Sequence, residues 1–312
     1  MSPGEHLSET TALSNRAAPI ELTATPFYPQ EELQCGPAAL ATVLDSAGSR
    51  ATPDALVSEV YVPGLEGSLQ PELLGAIRRR GLLAYELPPT LEGLAAELVA
   101  GRPVLVLQNL GLASRPIWHY AVVIGADAST ETVTLRSGRE QRLQMSSTKF
   151  MSSWDKAGRW ALVVLHPDEA PADPRRERLH RAVLGLEAAG RPAEASQAWR
   201  VVLHIWPDDS VALFGLGNAR YSLGDLHGAR VAWERYVKLN PAEPSGLNNL
   251  AVVLGDLGCR NLALELARAT LNTLAPDDEA YPQVFDTVSA LEGLPVGKEP
   301  EFCRTAERAS QS

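Results

Sequence analysis

Cysteine is scarce in this chain, with three in 312 residues, at positions 35, 259 and 303. They form no Cys-x-x-Cys pair and gather no ligand cluster, so neither a metal site nor a disulfide framework is expected. What remains open to them is thiol chemistry without metal or cofactor. The odd count suits a reducing compartment. Long apolar runs are missing too: none approaches the ~18 residues that a transmembrane span needs. Basic residues are in deficit, 28 Lys and Arg against 38 Asp and Glu for a formal charge of −10. The short clusters Arg78-Arg79-Arg80 and Arg175-Arg176 read as solvated helix ends. A nucleic-acid partner would call for a basic stripe, and none is present. No phosphate-binding Gly-rich loop points to a fused transporter. Residues 1–25 are polar, without the cationic start and apolar core of a signal peptide, and are expected to be a disordered leader.

What is present fits two domains, since the length exceeds one typical core and the hydrophobic content of 45% is ordinary for a globular protein. The most informative stretch is Gln34-Cys35-Gly36-Pro37-Ala38-Ala39-Leu40. Leu40, Val43 and Leu44 recur at one-turn spacing, Pro37 fits a first turn and Gly48 a stop, so a helix begins at Cys35. Unpaired N–H groups and the positive end of the helix dipole favour a thiolate there, which makes Cys35 a candidate nucleophile.

A nucleophilic thiol needs a proton acceptor. Of six histidines, His6 lies in the leader, His166 precedes Pro167, and His180, His204 and His227 fall in helical repeats. His119 opens an apolar, β-branched run, Trp118-His119-Tyr120-Ala121-Val122-Val123-Ile124-Gly125, which reads as a buried strand. From its first positions a histidine can reach into a cleft.

Together with Pro29-Gln30, these two motifs resemble the bacteriocin-leader (double-glycine) peptidase-like branch of the papain-like cysteine peptidases, over roughly residues 26–166. The resemblance implies a peptide or protein substrate, with Cys35 as nucleophile, His119 as general base and Gln30 as the side-chain donor to the oxyanion. Gln34 is the rival donor. One departure stands out. After the histidine strand the family usually carries an Asp-Pro pair whose Asp orients the imidazole, whereas here Thr132-Val133-Thr134-Leu135-Arg136 ends in Ser137-Gly138. Ser137 could orient the ring only as a neutral group, or could be a plain hairpin residue. Asn109, ending the strand Pro103–Gln108, is the second candidate. Asp127 ends the histidine strand itself and is expected to point away. On the chain as given the expected setting is the cytoplasm; an export segment trimmed or mis-assigned upstream would place it in the bacterial periplasm or envelope.

The C-terminal half repeats every 34 residues: Gly190, Gly224 and Gly258; Ala195, Ala229 and Ala263; Trp199 with Trp233; Pro207 with Pro241. This period and its small-residue pattern resemble the tetratricopeptide repeat. Three repeats over 176–278 and a seventh helix over Tyr281–Leu291 give an all-α solenoid spanning 176–293, followed by a tail, 294–312. Such arrays bind a protein partner in a groove, for which Asn218, Arg220, Asn248 and Asn249 are candidates. The Pro-rich acidic stretch 167–175 reads as a linker. In the first half, helices start after Thr52, Gln70 and Thr90. Strands are expected near 84, 103, 119, 131 and 139, then a helix at Phe150–Trp154 and a strand at Trp160–Leu165. Helices first and an antiparallel sheet second is an α+β, papain-like order. Three functions fit: a cysteine peptidase whose repeats recruit substrate or partner, a thiol acyltransferase, or a non-catalytic adaptor on a degenerate peptidase fold.

Overall fold

A computed structural model describes residues 19–30, 34–65 and 67–303. The chain divides into two compact units, residues 1–191 and 192–312.

The first unit is α+β. Its strands are β1 (Ile20–Glu21), β2 (Tyr61–Val62), β3 (Gly67–Ser68), β4 (Leu83–Glu86), β5 (Val104–Asn109), β6 (Trp118–Asp127), β7 (Thr132–Ser137), β8 (Glu140–Ser146) and β9 (Ala161–Leu165). Seven of them form an antiparallel sheet in the order β4-β9-β5-β6-β7-β8, with β1 paired to the far end of β6. The central strands β5, β6 and β9 are almost wholly apolar because both their faces are covered. One cover is α1 (Cys35–Ser46), whose Leu40, Val43 and Leu44 pack with Leu105, Tyr120 and Val122 of the sheet. Behind it lie α2 (Pro53–Val60) and α3 (Gln70–Arg79), contributing Leu56, Leu73 and Ile77 to the same core. Side-chain caps hold three helix starts, two of them at the Thr52 and Thr90 expected from sequence and the third at Ser146. Thr52 Oγ1 accepts from Ala55 N–H in α2, Thr90 Oγ1 from Gly93 N–H in α4 (Leu91–Val99), and Ser146 Oγ from Lys149 N–H in α5 (Ser147–Asp155).

Two parts of this unit reach beyond the span 26–166. Residues 20–25, placed in the polar leader by sequence, are bound to the sheet: β1 pairs with Gly125 and Ala126, and the Arg136 guanidinium donates to the carbonyls of Thr23 and Thr25. Residues 1–18 lie outside the described residues. At the other end, the Pro-rich stretch is tied down by the Tyr85 hydroxyl, which donates to Asp173 O and accepts from Arg175 N–H, and by Glu97, which accepts from Ala172 N–H. The helix that follows, α6 (Arg176–Ala188), packs on β4.

The second unit is all helical: α7 (Pro192–Ile205), α8 (Ser210–Ser222), α9 (Leu226–Leu239), α10 (Pro244–Asp256), α11 (Arg260–Leu271) and α12 (Tyr281–Glu292). Each helix packs on its sequence neighbour. Close crossing is made possible by glycine: a side chain at Gly215 would run into Trp199, one at Gly217 into Trp233, and one at Gly246 into Tyr236. Gly190, Gly224 and Gly258, 34 residues apart, all have positive φ, 68°, 76° and 83°, just after a helix end.

One expectation is overturned. Cys259 and Cys303 form a disulfide across 44 residues. Cys259 stands just before α11, and the segment after α12 folds back to it. Glu299 accepts the Asn261 N–H, Pro300 packs on Gly258, and Phe302 sets its ring edge to face against His227. The pairing is made by this returning path and has no counterpart in local spacing. It leaves Cys35 as the free cysteine. Among the described residues, no helix is long and apolar enough to cross a membrane.

Candidate active site

The site lies where the start of α1 meets β6 and the β7–β8 turn. Cys35 is the first residue of α1 and is half-buried. The next residue has no room for a side chain, since one at Gly36 would run into Ser68 of β3. That close approach seats the helix start against the β2–β3 hairpin. A cavity of about 920 Å³ opens there, and Gln30, Cys35, Ser68, His119 and Tyr120 all line it.

His119 is the second residue of β6, registered opposite Gln108 of β5. An extra residue at Ile124 shifts the pairing of β6 with β7 between Val123 and Gly125, so the far end of β7 is displaced by one position along β6. In that register the Ser137 hydroxyl lies 2.8 Å from His119 Nε2. Burial holds the His119 imidazole below its ordinary protonation range. A neutral ring that donates from Nε2 to Ser137 keeps its Nδ1 lone pair for a proton. The Tyr120 phenol is pushed up, first by burial and then by negative charge at Cys35, which puts the two side chains within electrostatic reach of each other. Its hydroxyl donates to Ser68 O at 3.3 Å, and its ring meets Trp160 edge to face.

The Ser137-Gly138 turn also acts on Gln30. Gln30 N–H donates to Gly138 O at 3.0 Å and its side-chain Nε2 to Tyr120 O at 3.4 Å. Gly138 has φ 61°, a left-handed conformation that favours glycine. Two cavity-lining side chains, His119 and Gln30, are therefore located by one tight turn.

The other residues singled out by sequence lie elsewhere. Asn109 is buried with its Oδ1 accepting from Gly111 and Ile117 N–H, so it shapes the β5–β6 loop and is not brought to His119. Asp127 is bound to Ser129 and Thr130 in the β6–β7 turn. Gln34 is the residue before α1 and makes no side-chain cap. In the second unit, Asn249 Nδ2 donates to Asn218 Oδ1 at 3.3 Å, joining α10 to α8. Arg220 donates to Gly228 O within its own hairpin, and Asn248 is buried.

Sequence reasoning missed the β2–β3 hairpin as a cavity wall. Leu65, Gly67, Ser68 and Leu69 all line the cavity, and Leu65 and Leu69 are exposed apolar side chains beside it. The signal was Pro63-Gly64, a turn-marking pair between two short strand-like runs.

No protein-family profile matches the chain, and no curated protein matches it. Solved structures do. A C39-like peptidase from Bacillus anthracis aligns at 20% identity over 48% of this chain and 98% of its own, with a TM-score of 0.41. The peptidase domain of Streptococcus ComA, a bi-functional ABC transporter involved in a quorum sensing pathway, aligns at 20% identity over 45% of this chain and 98% of its own, with a TM-score of 0.37. The chain is similar to C39-like peptidases.

Proposed function

We propose that the first unit is a cysteine peptidase that hydrolyses peptide bonds through an acyl-enzyme on Cys35. The observation that carries this reading is the convergence of Cys35, His119 and Gln30 on one cavity, with His119 Nε2 bonded to Ser137. In the proposed sequence His119 Nδ1 takes the Cys35 proton, and the thiolate attacks the carbonyl carbon of the bound peptide. The oxyanion is met by the Cys35 N–H at the helix start and by the Gln30 amide, whose second N–H is not used on Tyr120. Collapse breaks the C–N bond, and His119 returns its proton to the leaving amine. Water then attacks the thioester, giving up a proton to His119 and releasing the acid and the thiol. Exposed Leu65, Leu69 and Trp118 at the cavity favour substrates with apolar side chains near the cleaved bond.

The second unit reads as tetratricopeptide repeats that recruit a protein substrate or accessory partner. Its support is the 34-residue recurrence of the positive-φ glycines Gly190, Gly224 and Gly258 and of Trp199 and Trp233, each indole lying against a glycine of α8. The Cys259–Cys303 disulfide favours an oxidising setting such as the bacterial envelope over the cytoplasm.

A second reading, a non-catalytic adaptor, is favoured by one observation: the group bonded to His119 Nε2 is the neutral Ser137 hydroxyl, a weaker partner for an imidazolium than a carboxylate. A fluorogenic peptide library together with a peptide aldehyde, which traps activated thiols, separates the two. Cleavage that disappears in both Cys35→Ala and His119→Ala supports the peptidase. No cleavage, combined with aldehyde capture at Cys35 no faster than by free cysteine, establishes the adaptor.

A further inference from the structure

A cleft of about 390 Å³ in the second unit is lined by Arg200 and His204 of α7, Arg220 of α8 and Arg235 of α9. Among the described residues no carboxylate lines it. The walls follow from helical spacing, because Arg200 and His204 are one turn apart on α7, as Val231 and Arg235 are on α9. The accessible apolar lining is Leu203 of α7 and Val231 of α9, above the buried Leu213 and Leu216 of α8. Arg200, His204 and Arg235 are exposed, and Val231 among them is an exposed apolar side chain. Only part of this cationic capacity is used internally: Arg235 donates to Pro207 O at 2.7 Å, and Arg220 to Gly228 O with Asp225 3.8 Å away. Acidic side chains outnumber basic ones from residue 192 onward, so composition alone would not gather four such groups at one place.

We propose that this cleft docks an acidic segment of a partner protein, with an apolar side chain of that segment against Leu203 and Val231 and its carboxylates on the arginines of α7 and α9. Two features select a peptide over a nucleic acid. An apolar lining offers nothing to a phosphate backbone, and the chain's charge of −10 repels a long polyanion. The surface is distinct from the α8–α10 side, where Asn218 and Asn249 meet, and its occupancy does not depend on Cys35 chemistry. Exposed cations around an apolar lining give specificity and a salt-sensitive encounter.

The test is fluorescence anisotropy of the full chain with a short labelled peptide of alternating Glu and Leu. Binding should weaken as salt rises and fall roughly tenfold in Arg200→Glu/Arg235→Glu. Arg200→Glu alone, which leaves the Arg235–Pro207 contact intact, should give a smaller loss in the same direction, while Arg268→Glu on α11 should leave binding unchanged. A Glu–Gly peptide should bind more weakly than the Glu–Leu one. The proposal is overturned by absence of binding at low salt, by binding indifferent to both Arg200 variants, or by single-stranded RNA displacing the peptide.

Discussion

At the scale of single residues, Ser137 and Asn109 separate cleanly. Ser137 Oγ lies 2.8 Å from His119 Nε2, while the Asn109 side chain is committed to two loop N–H groups. Ser137→Ala should therefore lower kcat roughly three- to tenfold with little change in KM, the worth of one neutral hydrogen bond of about 0.5–1.5 kcal/mol. Asn109→Ala should instead cost about 1–3 kcal/mol of stability by stranding two donors, and leave kcat nearly unchanged in the molecules that remain folded. Steady-state kinetics beside urea unfolding of both variants reads the difference; equal losses of kcat would remove Ser137 as the orienting group.

His119 also makes a prediction about pH. Its folded-state pKa lies below the ordinary 6.5 because of burial. As pH falls below 6.5 the unfolded chain binds a proton that the folded chain resists, so stability drops until the folded imidazole titrates as well. Above 6.5 this contribution is flat. His119→Asn should flatten the slope on the acid side, and denaturant unfolding measured at a series of pH values checks it. An unchanged slope would mean that His119 is not the buried neutral group.

At the scale of elements, the second unit depends on glycines lying under indoles. A methyl group at Gly217 has no space beside Trp233, so Gly217→Ala should destabilise by about 1–3 kcal/mol through overpacking. Combined with Trp233→Leu, which opens the space, it should cost less than the sum of the two single changes. A double-mutant cycle in urea gives that coupling, and strict additivity would show that the crossing is not made there. In the first unit the element that matters is the Ser137-Gly138 turn. It holds His119 through the Ser137 Oγ and Gln30 through the Gly138 carbonyl. The residue that closes the hairpin is also the one bonded to the imidazole.

At the scale of the whole molecule, the two units have separate cores. A chain ending at Arg191 should fold, and its Cys35 should be alkylated at the rate of the full chain. One ending at Arg175 should melt at lower temperature, because α6 would no longer cover β4. If the repeats recruit substrate, the chain ending at Arg191 should turn over a protein substrate with raised KM and a short peptide normally. Failure of that chain to fold, or unaltered KM for the protein substrate, would count against separate units or against recruitment respectively.

Local periodicity was enough to place α1 at Cys35, the apolar strand carrying His119, the helix starts at Thr52 and Thr90, and the 34-residue recurrence, because each is written within a turn or two of chain. Four features were settled only in three dimensions. The Ile124 bulge brings Ser137 to His119; the β2–β3 hairpin walls the cavity; α6 packs on the sheet; and Cys303 returns to Cys259. Each joins residues well separated along the chain. A strand register is set by one inserted residue, and a disulfide by the path of the whole segment that precedes it. Neither leaves a pattern in the few residues around it, and so only the tertiary structure could decide them.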